Sequence, residues 1–260
     1  MLALSASLTL ACSDRSQKNN PAEGETMRIL FLHHSTGATI WNAGLKKNLK
    51  ELSGELGTRC KIEEREFPKE SPYGWNNYPF DYWNIWVNQA AEKQYKNEPT
   101  LATLTGKYDL IMWKHCFPVG EIEADTGSPA VGSDRKSLEN YRLQYEALKR
   151  KMHEYPGTRF LVWTGPALTK AATDEPSAQR EREFTNWVKG QWDEPGDNIF
   201  IWDFYELETE GGLYLKDEYA ESPTNSHPAQ SFARTVAPLV CRRLVDVLAG
   251  RGDGTSLTGK

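Results

Sequence analysis

A chain of 260 residues, 38% hydrophobic and 26% charged, can form one large domain with a substantial core, and its composition is not that of a disordered or fibrous protein. Its net charge of −5, with both signs interleaved, lacks the basic footprint of a nucleic-acid binder, so no nucleic-acid partner is expected. The 4 cysteines are too few and too widely spaced for a disulfide framework or a zinc motif.

The chain opens on an apolar stretch, Leu2 to Ala11, too short to cross a bilayer as a helix. Cys12 and a polar run over 13–26 follow. This start resembles the end of a bacterial lipoprotein signal peptide, cleaved after a small residue so that the cysteine carries lipid. It departs from that pattern in having no basic residue before the apolar stretch and Thr9 where leucine is usual. The resemblance implies a signal segment over 1–12, a flexible tether over 13–26 and an extracytoplasmic protein that meets the membrane only through lipid on Cys12. The plainer alternative is a disordered N-terminus. The domain itself is expected over 27–250, with 251–260 a disordered tail.

Five apolar runs predict strands: 28–33, 59–66, 108–113, 159–164 and 198–203. The run at 59–66 is mostly charged and suits a sheet edge. Helical spacing fills the gaps. Ile40, Leu45, Leu49, Leu52 and Leu56 share one face, and Trp83, Trp86, Val87, Ala90 and Ala91 another. Leu138, Tyr141, Tyr145, Leu148 and Met152 recur by threes and fours until Pro156-Gly157 stops the pattern. Phe184, Trp187 and Val188 belong to a fourth helix, and Phe232, Val236, Leu239, Val240 and Leu244 to a fifth. Strict βα alternation predicts an α/β fold with a five-stranded, doubly wound parallel sheet, because parallel neighbours need crossover connections.

Ser35 ends the first strand, at the carboxyl edge where such sheets bind ligands. Of 5 histidines, His33, His34, His115 and His227 are expected on that edge, and His153 on a solvated helix face. A serine becomes nucleophilic when a base can take its proton, and histidine is the usual base. His227, in Ser226-His227-Pro228 before the last helix, is the best candidate; capping or local hydrogen bonding is its structural alternative.

The first-strand serine, the five βα units and the late histidine resemble the SGNH/GDSL hydrolase superfamily. A less characterised branch of it is suggested by His33-His34-Ser35-Thr36-Gly37, Trp113-Lys114-His115-Cys116-Phe117-Pro118, Thr164-Gly165-Pro166-Ala167-Leu168 and Ser226-His227-Pro228. The resemblance spans roughly residues 28–248. It implies a flavodoxin-like three-layer α/β/α sandwich and an esterase without a cofactor, with Ser35 as nucleophile and His227 as general base. It also implies an oxyanion hole with the Ser35 amide and Gly74 as donors. Lys114, otherwise an ordinary surface lysine, and His115 follow the third strand, where either could stabilise an oxyanion; His34, Thr36 and Gly37 are further oxyanion or substrate-binding candidates. Three departures stand out. His33-His34 precede Ser35 where the superfamily's first block usually reads Gly-Asp-Ser. Thr224 occupies the position of the aspartate that orients the histidine, leaving a backbone carbonyl or an acid from elsewhere, such as Asp203 or Glu221. No asparagine follows the third strand to complete the oxyanion hole.

The segment 72–86 carries Tyr73, Trp75, Tyr78, Phe80, Tyr82, Trp83 and Trp86, either a platform for sugar rings or core packing. No closely spaced ligand pair accompanies the histidines, so no metal is expected. The expected reaction is hydrolysis of a small-molecule or glycan ester, with an O-acyl group on a carbohydrate favoured. The rivals are an acyltransferase using the same serine and a non-catalytic binding lipoprotein that kept the fold.

Overall fold

The apolar runs become the strands they predict. The computed structural model describes residues 26–260. Cys12, the signal segment and residues 13–25 of the expected tether lie outside the described residues. Thr26, expected in the tether, is already in the first strand. In chain order the elements are β1 (Thr26–His33), α1 (Ser35–Ile40), α2 (Lys46–Leu52), β2 (Arg59–Glu66), α3 (Pro79–Trp83), β3 (Gln94–Tyr95), β4 (Glu98–Pro99), α4 (Leu101–Thr105) and β5 (Leu110–Trp113). Then come α5 (Leu138–His153), β6 (Arg159–Trp163), α6 (Glu175–Trp187), β7 (Ile199–Trp202), α7 (Phe204–Thr209), β8 (Ala220–Ser222), β9 (Asn225–Pro228) and α8 (Gln230–Leu248).

Five strands form a parallel sheet in the order β2-β1-β5-β6-β7. This is the flavodoxin-like arrangement, whose topological switch point lies between the first strand and the one that pairs on its other side, here β1 and β5. Period-two alternation divides the sheet between two cores. Ile29 and Phe31 of β1, Met112 of β5 and Trp163 of β6 pack with α1, α2 and α8. Leu30, Leu32, Trp113 and Val162 pack on the other face with α3, α4, α5 and α6. The result is a three-layer α/β/α sandwich. β2 buries one residue in eight and carries charges elsewhere, which blunts an open edge.

Two hairpins, β3–β4 and β8–β9, were not legible as strands. They are only two to four residues long and mostly polar. Two further corrections concern the tail and one histidine. The closing residues 251–260 are packed rather than a disordered tail. The Asp203 amide donates to the Leu257 carbonyl (2.9 Å) and the Trp202 indole to that of Thr258 (3.0 Å), while Gly252 lies so close to the Phe200 ring that a Cβ there would overlap it at 2.5 Å. His153 is not simply solvated, since its Nε2 lies 2.8 Å from the Asp197 carboxylate. Cys60, Cys116 and Cys241 are free thiols.

Candidate active site

Ser35 is the first residue of α1 and is exposed at the carboxyl edge of the sheet. The first bond of the helix runs from the Ala38 amide to the His34 carbonyl (3.0 Å), so the amides of Ser35, Thr36 and Gly37 have no acceptor in a preceding turn. Across the switch point, Ser35 Oγ lies 3.8 Å from Cys116 Sγ, on the loop after β5. Loop 67–77 is tied to the same place by Asn77. This buried residue holds φ at 58°, donates to the Phe67 carbonyl (2.7 Å) and accepts the Cys116 amide (3.0 Å).

His227 is carried on a separate hairpin, β8–β9. β9 packs against α1, and the edge of the Phe117 ring meets the imidazole with centroids 5.0 Å apart. Thr169 anchors this hairpin: its amide donates to Ser226 Oγ (3.1 Å) and its hydroxyl to the Pro223 carbonyl (2.7 Å). The Thr164–Leu168 motif just before Thr169 is thus a prop for the histidine hairpin. Gly165 takes φ of 77° to make the turn.

The His227 ring is half-buried, and desolvation lowers its pKa below the usual histidine value. Glu221 opposes that shift, and the Lys114 charge adds to it. Its Nδ1–H donates to Asn225 Oδ1 (2.6 Å), which also accepts the His227 backbone amide (3.2 Å). Asn225 Nδ2 in turn donates to Glu221 Oε2 (3.0 Å). Asp203, the other acid considered, is engaged elsewhere, accepting from Thr164 Oγ1 (2.8 Å) and pairing with Lys189 (2.7 Å). Asn225 was missed in the sequence because it lies two residues before the histidine, where no motif directs attention.

Most of the other expected site residues lie beneath the surface. Thr36 is fully buried. Gly37 is needed for packing, since a Cβ there would fall 2.3 Å from that of His33. Gly74 sits in an exposed turn at φ 81°, and its amide points back at the Glu70 carbonyl (3.4 Å) rather than toward Ser35. Lys114 is 0% exposed and donates to the His115 carbonyl; burial lowers its pKa, so it is neither a surface lysine nor open to a substrate. His115 is buried in a cage of Tyr82, Trp113 and Tyr145, and burial holds it well below the usual histidine range.

His34 is also buried, donating from Nε2 to the Pro68 carbonyl (2.9 Å), and burial lowers it to about 4. His33 donates from Nδ1 to the His34 carbonyl and meets Glu64 through Nε2, each at 2.9 Å. Desolvation lowers this imidazole to about 4 and raises Glu64, so both favour uncharged forms.

Of the aromatic segment, Tyr78, Tyr82 and Trp86 are core, and Tyr73 is half-buried with its hydroxyl on Asp81 (2.6 Å). Trp75 alone of the seven is well exposed, at 56%, and its ring leans on that of His34 with centroids 5.1 Å apart. The sequence also gave no sign of the buried acids below the site. Glu208 accepts the Ala167 amide (2.8 Å) and burial raises it well above the carboxylate range; burial raises Glu181 to about 8. Among the described residues, no three His, Cys, Asp or Glu side chains gather as metal ligands would, and no helix is long and apolar enough to cross a membrane.

No protein-family model matches this chain, and no curated protein does. Among solved structures it is similar to a protein described as a GDSL-like lipase from Parabacteroides merdae. That match has 13% identity and a TM-score of 0.49, and covers 88% of this chain and 97% of the other. It is also similar to a gut microbial diltiazem-metabolizing enzyme, with 10% identity and a TM-score of 0.48, over 86% of this chain and 48% of that one. The chain therefore spans about half the length of the second.

Proposed function

We propose that this chain is a serine esterase of SGNH/GDSL type. The observation that carries the reading is that exposed Ser35, at the β1–β5 switch point, starts a helix against which the His227 hairpin packs. His227 has its Nδ1 engaged by Asn225, which leaves Nε2 as the ring nitrogen for a proton from serine. In the proposed reaction Ser35 Oγ attacks the ester carbonyl carbon as its proton passes to His227 Nε2. The C–O bond to the alcohol then breaks, and His227 returns the proton to the departing oxygen. Water attacks the acyl-enzyme with the same proton transfers, releasing the acid and restoring Ser35. The Ser35 amide at the start of α1 is the first oxyanion donor.

An O-acyl group on a carbohydrate is the substrate we favour, on the support of Trp75, whose exposed indole beside His34 suits stacking on a sugar ring. The lipoprotein-like start supports an extracytoplasmic protein held to a membrane by lipid on Cys12.

The test is labelling by a fluorophosphonate probe, together with turnover of acetylated sugars and simple acetyl esters, in wild type, Ser35→Ala and His227→Ala. Labelling and turnover that require both residues support the reading. A folded wild type that neither labels nor cleaves any of these esters overturns it in favour of a binding protein. Acetyl transfer to an added sugar outrunning release to water would make the enzyme an acyltransferase.

A further inference from the structure

We propose that Asn225 is the positioning residue of His227, a neutral amide in the role the expected aspartate would fill, and that Glu221 fixes which way that amide points. The proposal rests on the reading of Ser35 and His227 as a catalytic pair.

The hydrogen-bond pattern leaves little freedom. A backbone amide only donates, so the Asn225 atom 3.2 Å from the His227 N–H is the oxygen. The same oxygen lies 2.6 Å from His227 Nδ1, which must therefore carry a proton. At the other end an ionised carboxylate only accepts, so the Asn225 atom 3.0 Å from Glu221 Oε2 is the NH2 group. Two independent contacts thus agree on one orientation of the amide. That orientation selects the Nδ1–H tautomer of His227, whose unprotonated Nε2 is what a general base requires.

The carboxylate acts at one remove. An aspartate in direct contact would hold the imidazolium by charge, whereas Asn225 holds the ring by geometry alone. Around His227 the ionisable groups are Glu221 on β8 and Lys114 on the loop after β5. The α1 helix, packed against β9, contributes none. Glu221 is exposed, so its charge acts on the ring through solvent-screened space and its main effect is on the amide.

The experiment pairs kinetics with the ring nitrogen NMR signals of His227, in wild type, Asn225→Ala, Glu221→Gln and the double variant Asn225→Asp/Glu221→Gln. In the double variant a Gln NH2 can donate to the new carboxylate. The expected wild-type spectrum is the Nδ1–H tautomer, and Asn225→Ala reverts to the Nε2–H form that an unconstrained imidazole favours. Asn225→Ala is expected to lose roughly 10- to 100-fold in kcat with KM nearly unchanged. The double variant recovers kcat and moves the acid limb of kcat/KM to higher pH, because a carboxylate now faces the imidazolium.

An Asn225→Ala protein that keeps the Nδ1–H tautomer, or keeps full kcat with an unshifted acid limb, overturns the proposal while leaving the esterase reading intact. If wild type neither labels nor turns over, the esterase reading falls, and the nitrogen spectra still decide whether Asn225 orients the ring.

Discussion

His227 and Gly37 are the residues whose neighbours decide their roles. Desolvation lowers the His227 pKa below its ordinary 6.5, so the ring is the unprotonated base at neutral pH and stays so on mild acidification. A pH profile of kcat/KM on an acetyl ester is therefore expected to be flat near neutrality and to fall only below pH 6.5. An acid limb above pH 6.5 would contradict this environment. Gly37 is a packing requirement: a Cβ there would lie 2.3 Å from His33 Cβ and 2.6 Å from Cγ. Gly37→Ala is expected to cost about 1–3 kcal/mol, the usual range for overpacking, read by chemical denaturation, and to move His33 off its Glu64 contact. The place of Ser35 at the carboxyl edge was legible because the apolar run before it ends there. Thr36, Gly37, Lys114 and His115 share its local pattern yet face inward, because packing decides which way polar groups near a strand end point. α1 lies against β1, β9 and α8, and Tyr82 of α3 and Tyr145 of α5 close over His115.

The β8–β9 hairpin is the element on which the candidate chemistry depends. Besides its packing on α1, it is held by a pair of hydrogen bonds to Thr169, one of them from a buried amide to Ser226 Oγ. Ser226→Ala leaves that donor without its acceptor. The expected cost is about 1–3 kcal/mol of stability, and kcat should fall with it as His227 loses its fixed position. Denaturation and steady-state kinetics on the one variant check both. Four of the five sheet strands and the main helices could be read from the sequence because each buries a continuous face; β2, with one residue in eight buried, was legible as a charged edge strand. The two hairpins could not, being short and mostly polar, and with them went the contact between Asn225 and His227.

At the scale of the whole molecule, buried ionisable groups pull stability in opposite directions with pH. His34 titrates at about 4 in the fold and near 6.5 when unfolded, so between those values the unfolded chain binds the extra proton. Its contribution is present above pH 6.5 and is lost as the pH falls toward 4, on the order of 3 kcal/mol across the window. Glu181 behaves inversely. Its carboxyl is raised from 4.5 to about 8, so its stabilising share is present below 4.5 and is lost as the pH rises toward 8. Glu181→Gln removes that second dependence. Its stability relative to wild type is expected to climb from pH 5 to pH 8 and to level off above; a flat difference would show that Glu181 is ionised in the fold.

The sequence by itself determined the layered architecture, the charged edge strand and the serine at the carboxyl edge of the first strand. Each follows from short-range rules: the period of side chains along an element, the length of the apolar run and the crossover that parallel strands require. Only the tertiary structure decided which polar residues stand beside that serine and which support it from below. His227, Asn225 and Glu221 are within seven residues of one another, yet their partnership depends on a hairpin register that distant Thr169 holds in place. A polar side chain finds its hydrogen-bond partner in three dimensions, and no pattern of spacing along the chain specifies that partner in advance.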